Sequence, residues 1–162
     1  MHNCFIKMVK KFRKGECKMP SNSLVGNFTR SLDAKGRVFF PAEFREDLGT
    51  PFIITVSLDK SLVAYSMDEW ENFQEKLRSL PKTQVKDITR FFNGNAYKAE
   101  PDKQGRVMLN KEHLAFASIK EDVTFIGCGD RVELWAAAMS PLDKYDDTFL
   151  SNITDQMIEL GI

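Results

Sequence analysis

Apolar residues along this chain fall into short runs separated by turn clusters, and the order of those runs occurs twice. The stretch from Phe28 to Leu48 reads FTRSLDAKGRVFFPAEFREDL, and the stretch from Tyr97 to Ala117 reads YKAEPDKQGRVMLNKEHLAFA. Placing Asp33 on Asp102 brings Gly36 onto Gly105, Arg37 onto Arg106, Val38 onto Val107 and Glu43 onto Glu112. Downstream, Phe52-Ile53-Ile54-Thr55-Val56 corresponds to Val123-Thr124-Phe125-Ile126. Turns follow at Asp59-Lys60 and at Gly127-Cys128-Gly129-Asp130, then Leu62-Val63-Ala64-Tyr65 and Val132-Glu133-Leu134-Trp135 close the copies. The pattern predicts, in each copy, strand, tight turn, strand, short helix, strand, turn, strand.

Helical spacing appears between and after the copies. Pro41 is placed at the first position of the first short helix and Gly49 just past its end, the usual asymmetry of helix termini. Ser66 with Glu69 makes a capping box, Trp70, Phe73 and Leu77 form one stripe, and Pro81 stops that helix. A second helix is predicted over Thr83 to Phe92, with Val85, Ile88 and Phe92 on one face and Gly94 at its C-terminal side. A last helix is predicted from Ser140-Pro141, with Leu142, Tyr145 and Phe149 packed on the body and no placement beyond Leu150. These aromatic stripes are read as core packing rather than as a cofactor box. Two thin modules with apolar residues such as Phe39, Phe40 and Phe52 expected at the surface predict a shared core or a chain that is not monomeric.

Composition narrows the class. With 43% hydrophobic and 28% charged residues in 162, the chain reads as a soluble globular protein. Formal charge is zero, but residues 1–19 hold six Lys or Arg against Glu16, a net of +5, so the rest is net −5. Any DNA binding by the body must therefore use local basic patches. Three cysteines without a CxxC pair point to a reducing compartment. Cys4, Cys17 and His2 fit no common zinc spacing, and no metal or cofactor is expected. No apolar stretch approaches the roughly 20 residues of a membrane span, nor does the N-terminus resemble a secretory signal.

The repeated turn carries the candidate chemistry. Asp33-Ala34-Lys35-Gly36 and Asp102-Lys103-Gln104-Gly105 have Asp first and Gly fourth, the signature of a type I turn closed by a left-handed glycine. That accounts for Asp33, Gly36, Asp102 and Gly105 as turn residues. It leaves Arg37 and Arg106, which a three-residue loop places opposite the aspartates. They are either cross-strand ion pairs or guanidinium groups held by Asp with outer N–H groups free for a phosphate. Lys35 and Lys103 lie in the loops, and Arg30 and Lys98 lie on the incoming strands. His113 is read as a residue at the edge of the core.

Both Asp-x-x-Gly-Arg hairpins, with Phe39-Phe40-Pro41-Ala42-Glu43-Phe44-Arg45, Ser66-Met67-Asp68-Glu69-Trp70, Arg90-Phe91-Phe92-Asn93-Gly94 and Val132-Glu133-Leu134-Trp135, resemble the MraZ family over most of the chain from Leu24. The resemblance implies an α+β fold: a β-rich double-split barrel from two tandem AbrB-like swapped-hairpin modules with short helices, plus connecting and C-terminal helices. Residues 24–80 and 95–140 would be the modules, 81–94 the connecting helix and 141–162 the C-terminal helix and tail. The resemblance further implies a ring-shaped homo-oligomer, cytoplasmic and nucleoid-associated, bound to tandem short direct repeats of double-stranded DNA upstream of the division and cell-wall gene cluster. Its DxxxR signature falls on Asp33 and Arg37, and on Asp102 and Arg106, so the DNA contacts are expected at Arg37, Lys35, Arg106, Lys103 and Arg30. Gln104 in place of Lys35 predicts a weaker grip by the second loop. Asn110 for Pro41 and His113 for Phe44 predict a weaker second short helix. Residues 1–20 fall outside the resemblance, as a basic arm, disordered or reaching DNA, or as a start-site artefact with Met19 as the true start.

Two other classes compete. An interaction module, antitoxin-like or a ring scaffold without DNA, would use the acidic end after Leu150 as its partner-binding tail. An enzyme is not expected, because only His2 and His113 are available as histidines, Cys128 has no evident base, and there is no phosphate-binding glycine loop.

Overall fold

The computed structural model describes residues 24–162, so the predicted N-terminal extension, residues 1–20, lies outside the described residues. The first copy consists of β1 (Asn27–Ser31), β2 (Arg37–Phe39), α1 (Ala42–Leu48), β3 (Phe52–Val56) and β4 (Leu62–Ser66). Two helices follow, α2 (Met67–Arg78) and α3 (Lys82–Gly94). The second copy repeats the series as β5 (Tyr97–Ala99), β6 (Arg106–Met108), α4 (Lys111–Phe116), β7 (Asp122–Gly127) and β8 (Val132–Ala136), and α5 (Asp147–Leu160) ends the chain. The fold is α+β, and each copy has the predicted order of elements.

The copies do not make separate sheets. One six-stranded antiparallel sheet runs β1-β7-β8-β4-β3-β5, and a two-stranded sheet pairs β2 with β6. The first strand of each copy thus lies on the third strand of the other. Exchanging the copies only reverses the six-strand order, so the chain has an internal pseudo-twofold axis. Register obeys the same symmetry: Val38 pairs with Val107 at the centre of the small sheet, and Val63 with Glu133 at the centre of the β4–β8 pair. This exchange solves the problem of two thin modules. All five residues of β3 are buried, and Phe40 packs its ring on both Phe52 and Phe125, at centroid distances of 5.0 and 4.9 Å. Each large side chain removed from water contributes about 1.5–3 kcal/mol, and one cluster collects them from both copies.

Phe40 and Phe52 are 2% and 0% exposed, contrary to the expectation that they lie at the surface; only Phe39, 50% exposed, does. The backbone explains Phe40: its N–H donates to Gly105 O of the other copy at 3.0 Å, which turns the residue inward. Pro41 stands just before α1 rather than at its first position, and only its carbonyl serves the helix, accepting the Arg45 N–H at 3.0 Å. Ser66 Oγ accepts the Glu69 N–H at 3.2 Å, as a helix start requires. Trp70 and Phe73 stack toward Phe92, joining α2 to α3.

The C-terminal helix differs from its predicted form. Ser140 opens only a short 3₁₀ turn over Pro141–Lys144, Tyr145 leaves helical geometry, and Asp146 caps a new helix by accepting the Phe149 N–H at 2.8 Å. Tyr145 is exposed, and α5 extends well past Leu150 with Leu150, Ile153, Met157 and Ile158 all facing solvent. Apolar spacing located a helix here but could not show that the body leaves it uncovered.

Candidate nucleic-acid interface

The two predicted turns form as expected and match bond for bond. Asp33 Oδ1 accepts the backbone N–H groups of Lys35 and Arg37, each at 2.9 Å, and Asp102 Oδ1 accepts those of Gln104 and Arg106 at the same distance. The second carboxylate oxygen takes the arginine Nε, at 2.7 Å in the first copy and 2.8 Å in the second. Gly36 and Gly105 close the turns at φ +80° and +83°, a region that side chains with a Cβ disfavour. The N–H groups of Arg37 and Arg106, backbone first and side chain after, hold both aspartate carboxyls below the ordinary carboxylate range. Both aspartates therefore stay ionised in neutral solution and fix their arginines.

Of each guanidinium, the aspartate engages only Nε. Among the described residues, no hydrogen bond or ion pair occupies the terminal nitrogens of Arg37 or Arg106. Their position follows from strand periodicity. Val38 and Val107 point inward and are 1% exposed, so Arg37, Phe39, Arg106 and Met108 share the outer face of the β2–β6 ribbon. Arg37 lies opposite Met108, and Arg106 opposite Phe39. The result is a symmetric face of two fixed guanidinium groups and two exposed apolar side chains, flanked by the turns with Lys35 and Lys103. Tyr97 supports it from behind, its hydroxyl donating to Met108 O at 2.8 Å. Burial pushes the Tyr97 hydroxyl pKa well up, so it remains a donor.

The other predicted residues lie elsewhere. Arg30 is on β1, at the margin of the large sheet, where Nη1 donates to Thr29 O at 2.9 Å and the guanidinium sits 5.5 Å from the Phe28 ring centre. Lys98 is exposed on β5. His113 is 6% exposed, with Nε2 against Asn95 O at 2.6 Å. That contact makes Nε2 the N–H donor, and Nδ1 is buried without a partner among the described residues. Burial, followed by the nearby Glu133, pushes the Cys128 thiol up to about 11, which disfavours the reactive thiolate. Among the described residues no group of three or more His, Cys, Asp or Glu could hold a metal ion, and no helix is long and apolar enough to cross a membrane. Phe39 and Met108 escaped sequence reasoning as members of this face. The alternation around Val38 and Val107 was the signal.

Comparison with known proteins adds a family to this geometry. Residues 24–90 and 91–140 match the family model described as "MraZ protein, putative antitoxin-like". A protein of Caldanaerobacter subterraneus subsp. tengcongensis named "Transcriptional regulator MraZ" is 46% identical over 142 residues, covering 86% of this chain and 99% of that protein. Proteins of the same name from Acetivibrio thermocellus and Thermoanaerobacter sp. are 42% and 39% identical, over 85% and 86% of this chain and 98% and 99% of their own lengths.

Proposed function

The chain belongs to the MraZ family, and from that premise we propose that it is a cytoplasmic, sequence-specific transcriptional regulator that holds double-stranded DNA on its β2–β6 ribbon. The observation that carries this reading is the pair of Asp-clamped arginines on one outward face, each with its terminal nitrogens free among the described residues. A guanidinium fixed in this way is suited to bidentate phosphate or guanine contact, and a two-stranded ribbon fits the major groove. Lys35 and Lys103 extend the contact from the turns. Tandem repeats upstream of the division and cell-wall gene cluster are the target that the family resemblance suggests.

Net charge outside residues 1–19 is −5, so one ribbon gains little from long-range attraction. Several ribbons in one particle bind with high effective concentration instead. The apolar face of α5, with Leu150 at 52% and Met157 at 44% exposure, supports assembly of several copies, with a ring as the expected arrangement. The test is a salt-dependent gel shift with the DNA upstream of this chain's own gene, together with light scattering. Arg37→Ala and Arg106→Ala should each weaken binding and lower the salt slope while the particle size holds. Ile153→Asp with Met157→Asp should reduce the particle size. A folded wild-type protein with no salt-dependent DNA binding would leave the chain as a protein-interaction module.

A further inference from the structure

We propose that Arg45, a residue of the first copy, is the third cation of the second hairpin and contacts the DNA backbone beside Arg106. The inference rests on the ribbon as a DNA-binding surface and adds a residue outside both hairpins.

Arg45 stands in the last turn of α1, and its Nε donates to Phe40 O at 2.9 Å. Phe40 is itself tied to Gly105 O, so two successive bonds carry the arginine across the module boundary. A Cβ built on Gly105 would stand 2.7 Å from the Arg45 Cζ and 2.9 Å from both terminal nitrogens. The guanidinium therefore covers the second turn, next to Arg106. Gly105 needs glycine for its left-handed φ, and a Cβ there would push the Arg45 guanidinium, the end of a flexible side chain, off the turn.

The pseudo-symmetric position shows what this arginine is not for. Leu114 occupies it in the second copy, with Cδ1 3.7 Å from where a Cβ on Gly36 would stand. A side chain needed only to cover a glycine turn can be apolar, as Leu114 is. Arg45 instead brings a charge that no described carboxylate pairs with, and its terminal nitrogens have no hydrogen-bond partner among the described residues. With Nε held by the Phe40 carbonyl and no ion-pair partner among the described residues, the fork presents two parallel donors to a phosphate. The second turn has Gln104 where the first has Lys35. The second turn also has Lys103 where the first has Ala34, so each hairpin holds one Lys and one Arg of its own, and Arg45 adds a further cation to the second side alone.

The experiment is fluorescence anisotropy of the full chain on a labelled duplex of its upstream DNA, titrated with salt. Arg45→Ala should lower the log–log salt slope by roughly 0.9 per contact made, and Arg45→Lys should keep most of it. Gly105→Ala, which displaces the guanidinium while keeping its charge, should weaken binding more than Gly36→Ala, and it serves as the test if Arg45→Ala does not fold. Weaker binding with an unchanged slope would make Arg45 a brace of the turn and overturn the proposal. Slope lost in Arg37→Ala but kept in Arg45→Ala overturns this inference alone. Slope kept in both overturns the ribbon reading with it.

Discussion

In the first copy Phe44 drops a phenyl ring into the core and meets Phe28 edge-on at 5.4 Å. His113 stands at the same place in the second copy and spends one ring nitrogen on Asn95 O. Arg45 beside Phe44 becomes Leu114, and Pro41 becomes Asn110. The turns in front of these helices do not differ in any of their hydrogen bonds. Turn geometry is satisfied within five residues, so both copies need the same Asp, Gly and Arg. A short helix is satisfied by whatever packs against it, and the swapped neighbours of the two helices are not the same. Duplication has kept the part that is locally determined and let the part that is tertiary diverge.

The largest expected effect lies in the core. Phe44→Ala should cost about 3–5 kcal/mol of stability in urea denaturation, as removal of a buried phenyl does. His113→Ala should cost roughly 1–3 kcal/mol, chiefly by leaving the Asn95 carbonyl without its donor. Equal losses would mean that the two helices support the core alike.

Next comes the proposed division of DNA contacts. The first side presents Lys35 and Arg37; the second presents Lys103, Arg106 and, on the proposal above, Arg45. The loops alone predict that Lys35→Ala with Arg37→Ala costs more binding than Lys103→Ala with Arg106→Ala, and that the second pair disturbs assembly more. Adding Arg45→Ala to the second pair should reverse the order of binding losses. The salt slope would fall by roughly 2.7 for three contacts against 1.8 for two, per bound chain, at about 0.9 each. Variants of matched particle size are needed for this comparison, because a broken assembly loses multivalency whichever loop was changed.

Smaller is the cost of the glycines themselves. Gly36→Ala and Gly105→Ala should each destabilise by roughly 1–2 kcal/mol, the penalty of a left-handed residue with a Cβ. They should be nearly equal, because the Arg45 guanidinium is the far end of a flexible side chain and can swing away. A much larger loss at Gly105 in thermal melts would show that Arg45 is locked on the turn.

The smallest effect is that of pH. Asp33 and Asp102 have folded pKa values below the ordinary one, so each contributes stability that is complete above about pH 3.9 and is lost as pH falls through the lowered folded value. Carboxyl NMR titration should place both below that ordinary value. Asp33→Asn and Asp102→Asn should each remove one step from the acid limb of stability. An ordinary value at only one of them would break the equivalence of the hairpins.

Much of this protein is decided within short stretches of its chain. The duplication, the two glycine-closed turns, the Asp–Arg clamps and the bounds of β3 all follow from residues close in sequence, because a turn or a strand period is a local steric fact. The partnership of strands does not. Each copy has the alternation needed to pair with itself, and only the gain from merging two thin cores selects the crossed order β1-β7 and β5-β3. That choice buries Phe40 and Phe52, which local pattern placed outside. It also sets Arg37, Phe39, Arg106 and Met108 on one face, lays an arginine of one copy over the turn of the other, and leaves α5 uncovered. The strand pairings of this kind join residues forty or more positions apart, where hydrophobic period carries no information about the partner and the packing of the whole chain decides.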